Sequence, residues 1–237
     1  MPIKKLLLFT LLSLNLAHAA DKPKLTIDEF FNSVGYDAVK ISPDGNAVVI
    51  VTDRADWDQK IFRTDLWLYR VGEHGSGSLI QLTQSGHDRN PEWSPDGRWI
   101  AFVSERKAAG AKKTDSDEDS KEDETAQLYL ISPSGGEAFP VTAGEEEIHA
   151  FAWSPDSKTL YFTTRQPWTK DQKDAYKKEW KDVKQYRAAE RGDTIFSLDV
   201  ADAISRHAAD GSKPSDDSDP TPDVTPGSRA LANSVAY

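Results

Sequence analysis

The chain has 237 residues, no cysteine and a formal net charge of −10, from 29 basic and 39 acidic side chains. The lack of cysteine excludes a disulfide framework and a thiolate metal site, and the acidic balance argues against nucleic acid as a partner, because phosphate binding needs a basic footprint. What remains after an N-terminal leader is long enough to hold a fold together by core burial alone.

That leader comes first. Lys4 and Lys5 open the chain, Leu6 to Leu16 form an apolar run and Ala17-His18-Ala19 offers small residues for cleavage, so a secretory signal peptide is predicted over residues 1–19. The run is too short for a permanent membrane span, and no cysteine stands there to carry a lipid. Cleavage after Ala19 or Ala20 removes both lysines and leaves 27 basic against 39 acidic residues, a net charge of −12. The expected product is exported to a bacterial periplasm or beyond, with no membrane contact after cleavage. Residues 25–31, LTIDEFF, then read as a capped helix.

From Ile41 the chain says one phrase three times: ISPDGNAVVIVTDR, then WSPDGRWIAFVSER from Trp93 and WSPDSKTLYFTTR from Trp153, at separations of 52 and 60 residues. A repeat of that period marks a supersecondary unit that buries its apolar face only against its neighbours. Ser42-Pro43-Asp44-Gly45, Ser94-Pro95-Asp96-Gly97 and Ser154-Pro155-Asp156 supply a tight turn: proline fixes φ, aspartate bonds its own backbone and glycine accepts positive φ. The runs that follow, Val48 to Val51, Ile100 to Val103 and Leu160 to Thr163, predict strands. Each is closed by an arginine (Arg54, Arg106, Arg165), 12, 12 and 11 residues after the turn serine. A second strand is predicted at Leu66 to Val71, Gln127 to Ser132 and Thr194 to Val200, and a third short element at Leu82-Thr83, Val141-Thr142 and Val224-Thr225. Roughly four strands in about 50 residues is the size of a propeller blade. The predicted fold class is all-β, a partial β-propeller of about three four-stranded blades near residues 34–90, 91–150 and 151–237, with a short N-terminal helix and one helical insertion. Trp93 and Trp153 are expected to fill the space between blades.

Three segments interrupt the blades. Residues 107–125 are almost without apolar side chains and predict a disordered acidic loop. Asp115, Asp117 and Asp119 suggest calcium only in part, because the loop glycine and the distal glutamate are missing; no metal or other cofactor is expected. Residues 166–192 predict an amphipathic helix whose stripe of Tyr176, Trp180, Val183 and Tyr186 packs on the propeller or an adjoining domain rather than on a cofactor. Ala203 to Thr221 reads as a loop.

With the leader helix, KLTIDEFFNSVGYDAVKISPDGNAVVIVTDR, LWLY, LIQLTQSGHDRNPEWSPDGRWIAFVSER, QLYLISPSGGEAFPVT and FAWSPDSKTLYFTTR resemble the N-terminal propeller of the prolyl oligopeptidase family, nearest its acylaminoacyl-peptidase and dipeptidyl-peptidase members, over roughly Leu25 to Tyr237. The WSPDG turn is shared with the propeller of TolB; the LTIDEFF leader points to the peptidases. The resemblance implies a C-terminal α/β-hydrolase domain with its serine on a G-x-S-x-G elbow, followed by aspartate and histidine, and a propeller that admits only short peptides. This sequence has no G-x-S-x-G, and Gly75-Ser76-Gly77-Ser78 has the wrong spacing and reads as a flexible turn. Of the five histidines, His18 leaves with the leader, His74, His87 and His149 lie between strands and His207 lies in a polar loop. No catalytic residue is carried over. Dipeptidyl peptidases of this family hold the substrate's amino terminus with an acidic motif ahead of a W-S-P turn. Glu145-Glu146-Glu147 matches it in part, with a shorter interval to Trp153 and Gly144 where an aromatic is due, so Glu146 and Glu147 are substrate-binding candidates beside the plain alternative of an exposed loop.

Tyr237 falls 12 residues after Thr225, about where a fourth opening aromatic is due. Closed propellers need at least four blades and three leave open edges, so the sequence reads as the N-terminal part of a longer protein. The leading expectation is the propeller of an exported serine peptidase, non-catalytic by itself, whose partners are a C-terminal hydrolase domain and short peptides. The alternatives are a TolB-like propeller that binds envelope proteins, and a short protein whose copies pair to complete a ring.

Overall fold

The computed structural model describes residues 24–72, 76–106, 125–144, 146–166, 169–180, 192–210 and 229–235. The expected signal peptide, the bulk of the acidic loop and Val224-Thr225 lie outside them. The chain divides into two units, Met1–Asn32 and Ser33–Tyr237. In the first, α1 (Ile27–Phe31) begins with a capping box: the Thr26 hydroxyl accepts from the Glu29 amide at 3.1 Å and the Glu29 carboxylate accepts from the Thr26 amide at 2.9 Å. The Thr26 amide, and after it the Thr26 hydroxyl, donate to the Glu29 carboxylate, favour its ionised form and lower its pKa.

The second unit is three antiparallel four-stranded sheets, each in sequence order. Blade 1 holds β1 (Gly35–Ile41), β2 (Ala47–Asp56), β3 (Ile61–Val71) and β4 (Gly77–Gln81); blade 2 holds β5 (Asp88–Trp93), β6 (Ile100–Ser104), β7 (Gln127–Ile131) and β8 (Phe139–Pro140); blade 3 holds β9 (Ile148–Trp153), β10 (Thr159–Arg165), β11 (Asp193–Asp199) and β12 (Arg229–Val235). This is the partial propeller expected from the repeat. The predicted strands fall on β2, β6 and β10 and on β3, β7 and β11. The first strand of each blade is not legible in the sequence, because DRNPEW and IHAFAW lack a clean alternation; it starts blades 2 and 3 at Asp88 and Ile148.

The third repeated element sits at the outer edge of the blades. The hydroxyls of Thr83 and Thr142, both buried, accept from the amides of Leu66 and Leu128 at 2.9 and 2.8 Å, while Leu82 and Val141 donate back to the same residues' carbonyls at 2.8 Å. A threonine thus stands in for a backbone acceptor where the outer strand runs out. In blade 3 the described outer strand begins at Arg229, beyond the expected Val224-Thr225.

The blades pack through two apolar clusters, one at each interface. Ile100, Phe102, Tyr129 and Ile131 on one face of blade 2 bury against Val49, Val51 and Leu66 of blade 1. The other face, with Ala101, Val103, Leu128 and Leu130, buries against Leu160, Phe162, Phe196 and Leu198 of blade 3. Blade 2 is therefore buried on both faces and its β6 is a continuous apolar run, whereas β10 alternates buried with exposed or half-buried residues. Each large side chain so buried contributes about 1.5–3 kcal/mol.

Two expectations need correction. Val200 to Asp210, expected to end a strand and then to form a loop, is helix α3 (Val200–Asp210). Asp199 caps it, its carboxylate accepting from the Asp202 amide at 3.0 Å. Val200, Ala203 and Ile204 then pack into the core, and His207 stacks on Phe139 of blade 2 with ring centroids 4.2 Å apart. Spacings of three, one and three make an apolar stripe that the dense Asp, Ser and Pro farther along obscured. Gly77 and Ser78, expected in a flexible turn, open β4. Within the expected helical insertion, α2 (Lys170–Trp180) starts from reciprocal Thr169 and Gln172 bonds of 2.9 and 3.3 Å. Tyr176 is half-buried, while Val183 and Tyr186 lie outside the described residues.

Candidate functional site

The fold gives the propeller segment two unlike ends. At one lie the three repeated turns, all locked in the same way. The hydroxyls of Ser42, Ser94 and Ser154 donate to Asp44, Asp96 and Asp156 at 2.6, 2.7 and 2.6 Å. They accept from the amides of Ala47, Trp99 and Thr159 at 2.9 Å each. The same carboxylates accept from the amides of Asn46, Arg98 and Lys158 at 3.1 Å. Pro43, Pro95 and Pro155 sit inside these loops, and the fourth turn residue has positive φ: 74° at Gly45, 70° at Gly97 and 63° at Ser157. The serine hydroxyl lowers the pKa of Asp44 and Asp156, helped by the next amide. At Asp96 burial works the other way, but the bonds from Ser94 and the Arg98 amide and the Arg98 charge still bring the pKa down.

Between blades the tryptophans act as cross-ties. The Trp93 indole donates to the Lys40 carbonyl at 3.0 Å and the Trp153 indole to the Glu92 carbonyl at 3.2 Å, both reaching the first strand of the preceding blade. Lys40 and Glu92 also pair with each other at 2.5 Å.

The opposite end, where β5 and β9 begin and the β6–β7 and β10–β11 connections emerge, carries a further set of charged groups; the β11–β12 connection leaves beside the turns. Glu145 lies outside the described residues. Gln127 holds the segment before β9 by donating to the carbonyls of Gly144 and Glu146 at 3.3 and 3.1 Å. Thr164 donates to the Glu147 carbonyl at 2.8 Å. This leaves the Glu147 side chain 57% exposed, with an oxygen 3.5 Å from His149 Nε2. On the other side of the ring, His149 Nδ1 lies 2.6 Å from the carboxylate of Asp193, which is buried. An ionised carboxylate only accepts, so Asp193 holds the proton on Nδ1 and fixes the ring. His149, expected between strands, is thus part of β9, and Asp193, not picked out from the sequence, is its anchor. The signal available was a lone acid opening DTIFSLD.

A second acid–base pair marks the same end of blade 2. Asp88 is fully buried and accepts from Arg106 at 2.6 Å, and the guanidinium lies 5.3 and 4.9 Å from the ring centres of Phe102 and Tyr129. Burial pushes the Tyr129 phenol pKa up, which the Arg106 charge partly opposes. Arg89 pairs with Glu105 alongside. Arg106, which marked the repeat in the sequence, is therefore a half-buried counter-ion to the buried Asp88. Among the described residues no cluster of three or more His, Asp or Glu is disposed to hold a metal. Among the described residues this end carries charged side chains, with Glu147 exposed.

Comparison with known proteins fits this division. A Bacillus subtilis protein named as the uncharacterized peptidase YuxL is 28% identical over 142 residues, covering 60% of this chain and 19% of that protein. The chain resembles a peptidase propeller of the prolyl oligopeptidase type. The AtxE2 isopeptidase with Astexin3-dC4 bound superposes with a TM-score of 0.52 at 16% identity, over 77% of this chain and 31% of that one. Uncomplexed Pyrococcus horikoshii acylaminoacyl peptidase gives 0.49 at 16%, over 73% and 24%, and Acinetobacter baumannii TolB gives 0.41 at 14%, over 69% and 30%. No family model matches. The chain thus spans about a fifth of the curated peptidase it matches (19%), and its fold is that of a propeller domain.

Proposed function

We propose that this chain is the propeller portion of an exported serine peptidase, and that it restricts access of short peptides to a C-terminal hydrolase domain. The observation that carries the reading is the 28% identity to a named peptidase across 60% of this chain. In this reading the described residues serve as a scaffold with a charged rim, and acyl transfer belongs to the hydrolase domain. The end where β5 and β9 begin, not the end with the locked turns, is the one we assign to the hydrolase and the peptide. There Glu147, exposed and projecting beside the start of β9, is the group best placed to accept from a peptide's free amino terminus, with Glu146 held behind it through Gln127. Residues 1–19 direct export in this reading.

The test is hydrolysis of peptide anilides by the complete polypeptide, purified from the periplasmic or secreted fraction. Turnover abolished by a serine-directed inhibitor, with none from residues 20–237 alone, is the expected result. A complete polypeptide that shows no such turnover, yet pulls down envelope proteins, would transfer the reading to a TolB-like binding propeller.

A further inference from the structure

The start of blade 3 carries a histidine to which the peptide-binding reading gives no task. The ladder between β9 and β10 pairs Ala150 with Thr163 and Ile148 with Thr164, so His149 is an extra residue in it. Such a β-bulge turns a side chain out of the regular alternation of a sheet. The His149 ring thereby reaches Asp193 on β11, beyond the intervening β10. The Asp193 side chain is 5% exposed and lies 2.6 Å from Nδ1, where it holds the ring proton. In the neutral ring Nε2 is then a lone-pair acceptor, on a side chain that is 24% exposed.

Beside it stands a second acceptor. A Glu147 carboxylate oxygen lies 3.5 Å from Nε2. The backbone that carries it is pinned: Thr164 donates to the Glu147 carbonyl and Gln127 to that of Glu146, and the Thr142 hydroxyl fixes Gln127 by donating to its side-chain oxygen at 2.8 Å. All these residues belong to the Ser33–Tyr237 unit. Two acceptors side by side, one of them an anion, suit a cation that donates to both. A primary ammonium brings three N–H bonds and an amino-terminal proline two. A dimethylated terminus keeps the charge with a single N–H, and an acylated terminus loses the charge.

We propose that His149 is a specificity-determining residue: its Nε2 accepts a second hydrogen bond from the amino terminus that Glu147 binds, and so restricts the site to peptides whose terminal nitrogen carries at least two hydrogens. This rests on the peptide-binding role proposed for Glu147. Asp193 acts through His149 as a positioning residue, by keeping the proton on Nδ1. Protonation of the ring turns Nε2 into a donor, which then engages Glu147 itself and repels the ammonium. Histidine changes charge between about pH 5 and 8. The charged groups around this one are Asp193 on β11, with Arg165 of β10 as its register partner, and Glu146 and Glu147 ahead of β9. Preference for an unmodified amino terminus is thus lost as pH falls through that range.

The experiment compares Ala-Ala p-nitroanilide with its N,N-dimethyl form as substrates of the complete polypeptide. At about pH 8 the dimethyl peptide should have a KM about tenfold higher, the loss of one bond to a charged group. The ratio of kcat/KM between the two peptides should fall toward one in acid, and a ratio cancels the titration of any group that serves both. His149→Asn, which keeps a donor for Asp193 and has no atom in place of Nε2, should bring the ratio near one at every pH. Equal KM values in the unmodified protein, a ratio that does not change with pH, or a tenfold ratio kept by His149→Asn overturns the proposal; a merely steric role of the ring would leave the pH dependence flat. A complete polypeptide that cleaves neither peptide refutes the peptidase reading instead. The proposal is then decided on this chain by the 15N signal of His149 Nε2 during titration with Ala-Ala amide: a shift that the N,N-dimethyl amide does not produce supports it, and no shift, or the same shift with both, overturns it.

Discussion

Ser157 is the one turn residue of the three that is not glycine where φ is positive, and the structure shows what holds it there. At φ 63° an L-residue bears a penalty of about 1–2 kcal/mol. Its hydroxyl, however, accepts from the Asp96 amide of the neighbouring turn at 2.9 Å, a bond worth roughly 0.5–1.5 kcal/mol, toward the lower figure because the site is exposed. Ser157→Ala keeps the backbone penalty and loses the bond, so it should destabilise the chain by about 0.5–1 kcal/mol. Ser157→Gly loses the bond but relieves the backbone, so it should lie about 1 kcal/mol above Ser157→Ala and close to the unmodified chain. Gly97→Ala supplies the control: a Cβ there would meet only Pro43 Cδ at 3.9 Å, so its cost, again about 1 kcal/mol, is purely conformational. Urea titration of residues 20–237 followed by tryptophan fluorescence measures all three. If Ser157→Ala proved as stable as the unmodified chain, the latch between turns would not exist, and if it proved more stable than Ser157→Gly, the backbone penalty would not.

Four other outcomes follow from the same geometry. Ser94→Ala removes the hydroxyl that joins the Trp99 amide to Asp96 in a fully buried position, and a loss of about 1–3 kcal/mol is expected in the same titration. Arg106→Ala leaves the buried Asp88 carboxylate without its counter-ion; a loss of roughly 3 kcal/mol is expected, and a change under 1 kcal/mol would mean that Asp88 is held by other groups. The turn aspartates have folded pKa values below their ordinary 3.8, so the stability they confer is complete above that value and is lost as pH falls through the folded values; acid unfolding should begin below about pH 4 and be blunted by Asp96→Asn. In the complete polypeptide, Glu147→Gln should raise KM for peptides with a free amino terminus and leave N-acylated ones unchanged, and equal effects on both would remove Glu147 from substrate binding.

The sequence by itself determined whatever depends on neighbours along the chain. Ser-Pro-Asp-Gly closes on itself through bonds spanning two to five residues, and the strands that leave it carry their own β-branched pattern, so turns, strands and repeat are legible in the residues alone. The tertiary structure alone decided which groups meet across the chain. His149 and Asp193 stand 44 residues apart and are joined because β10 lies between their strands. Trp93 finds the Lys40 carbonyl 53 residues back, and the place of α3 is set by the cluster of blades 2 and 3 that takes in Val200 and Ala203. Such pairings depend on the twist and stacking of the sheets, and no local period encodes them.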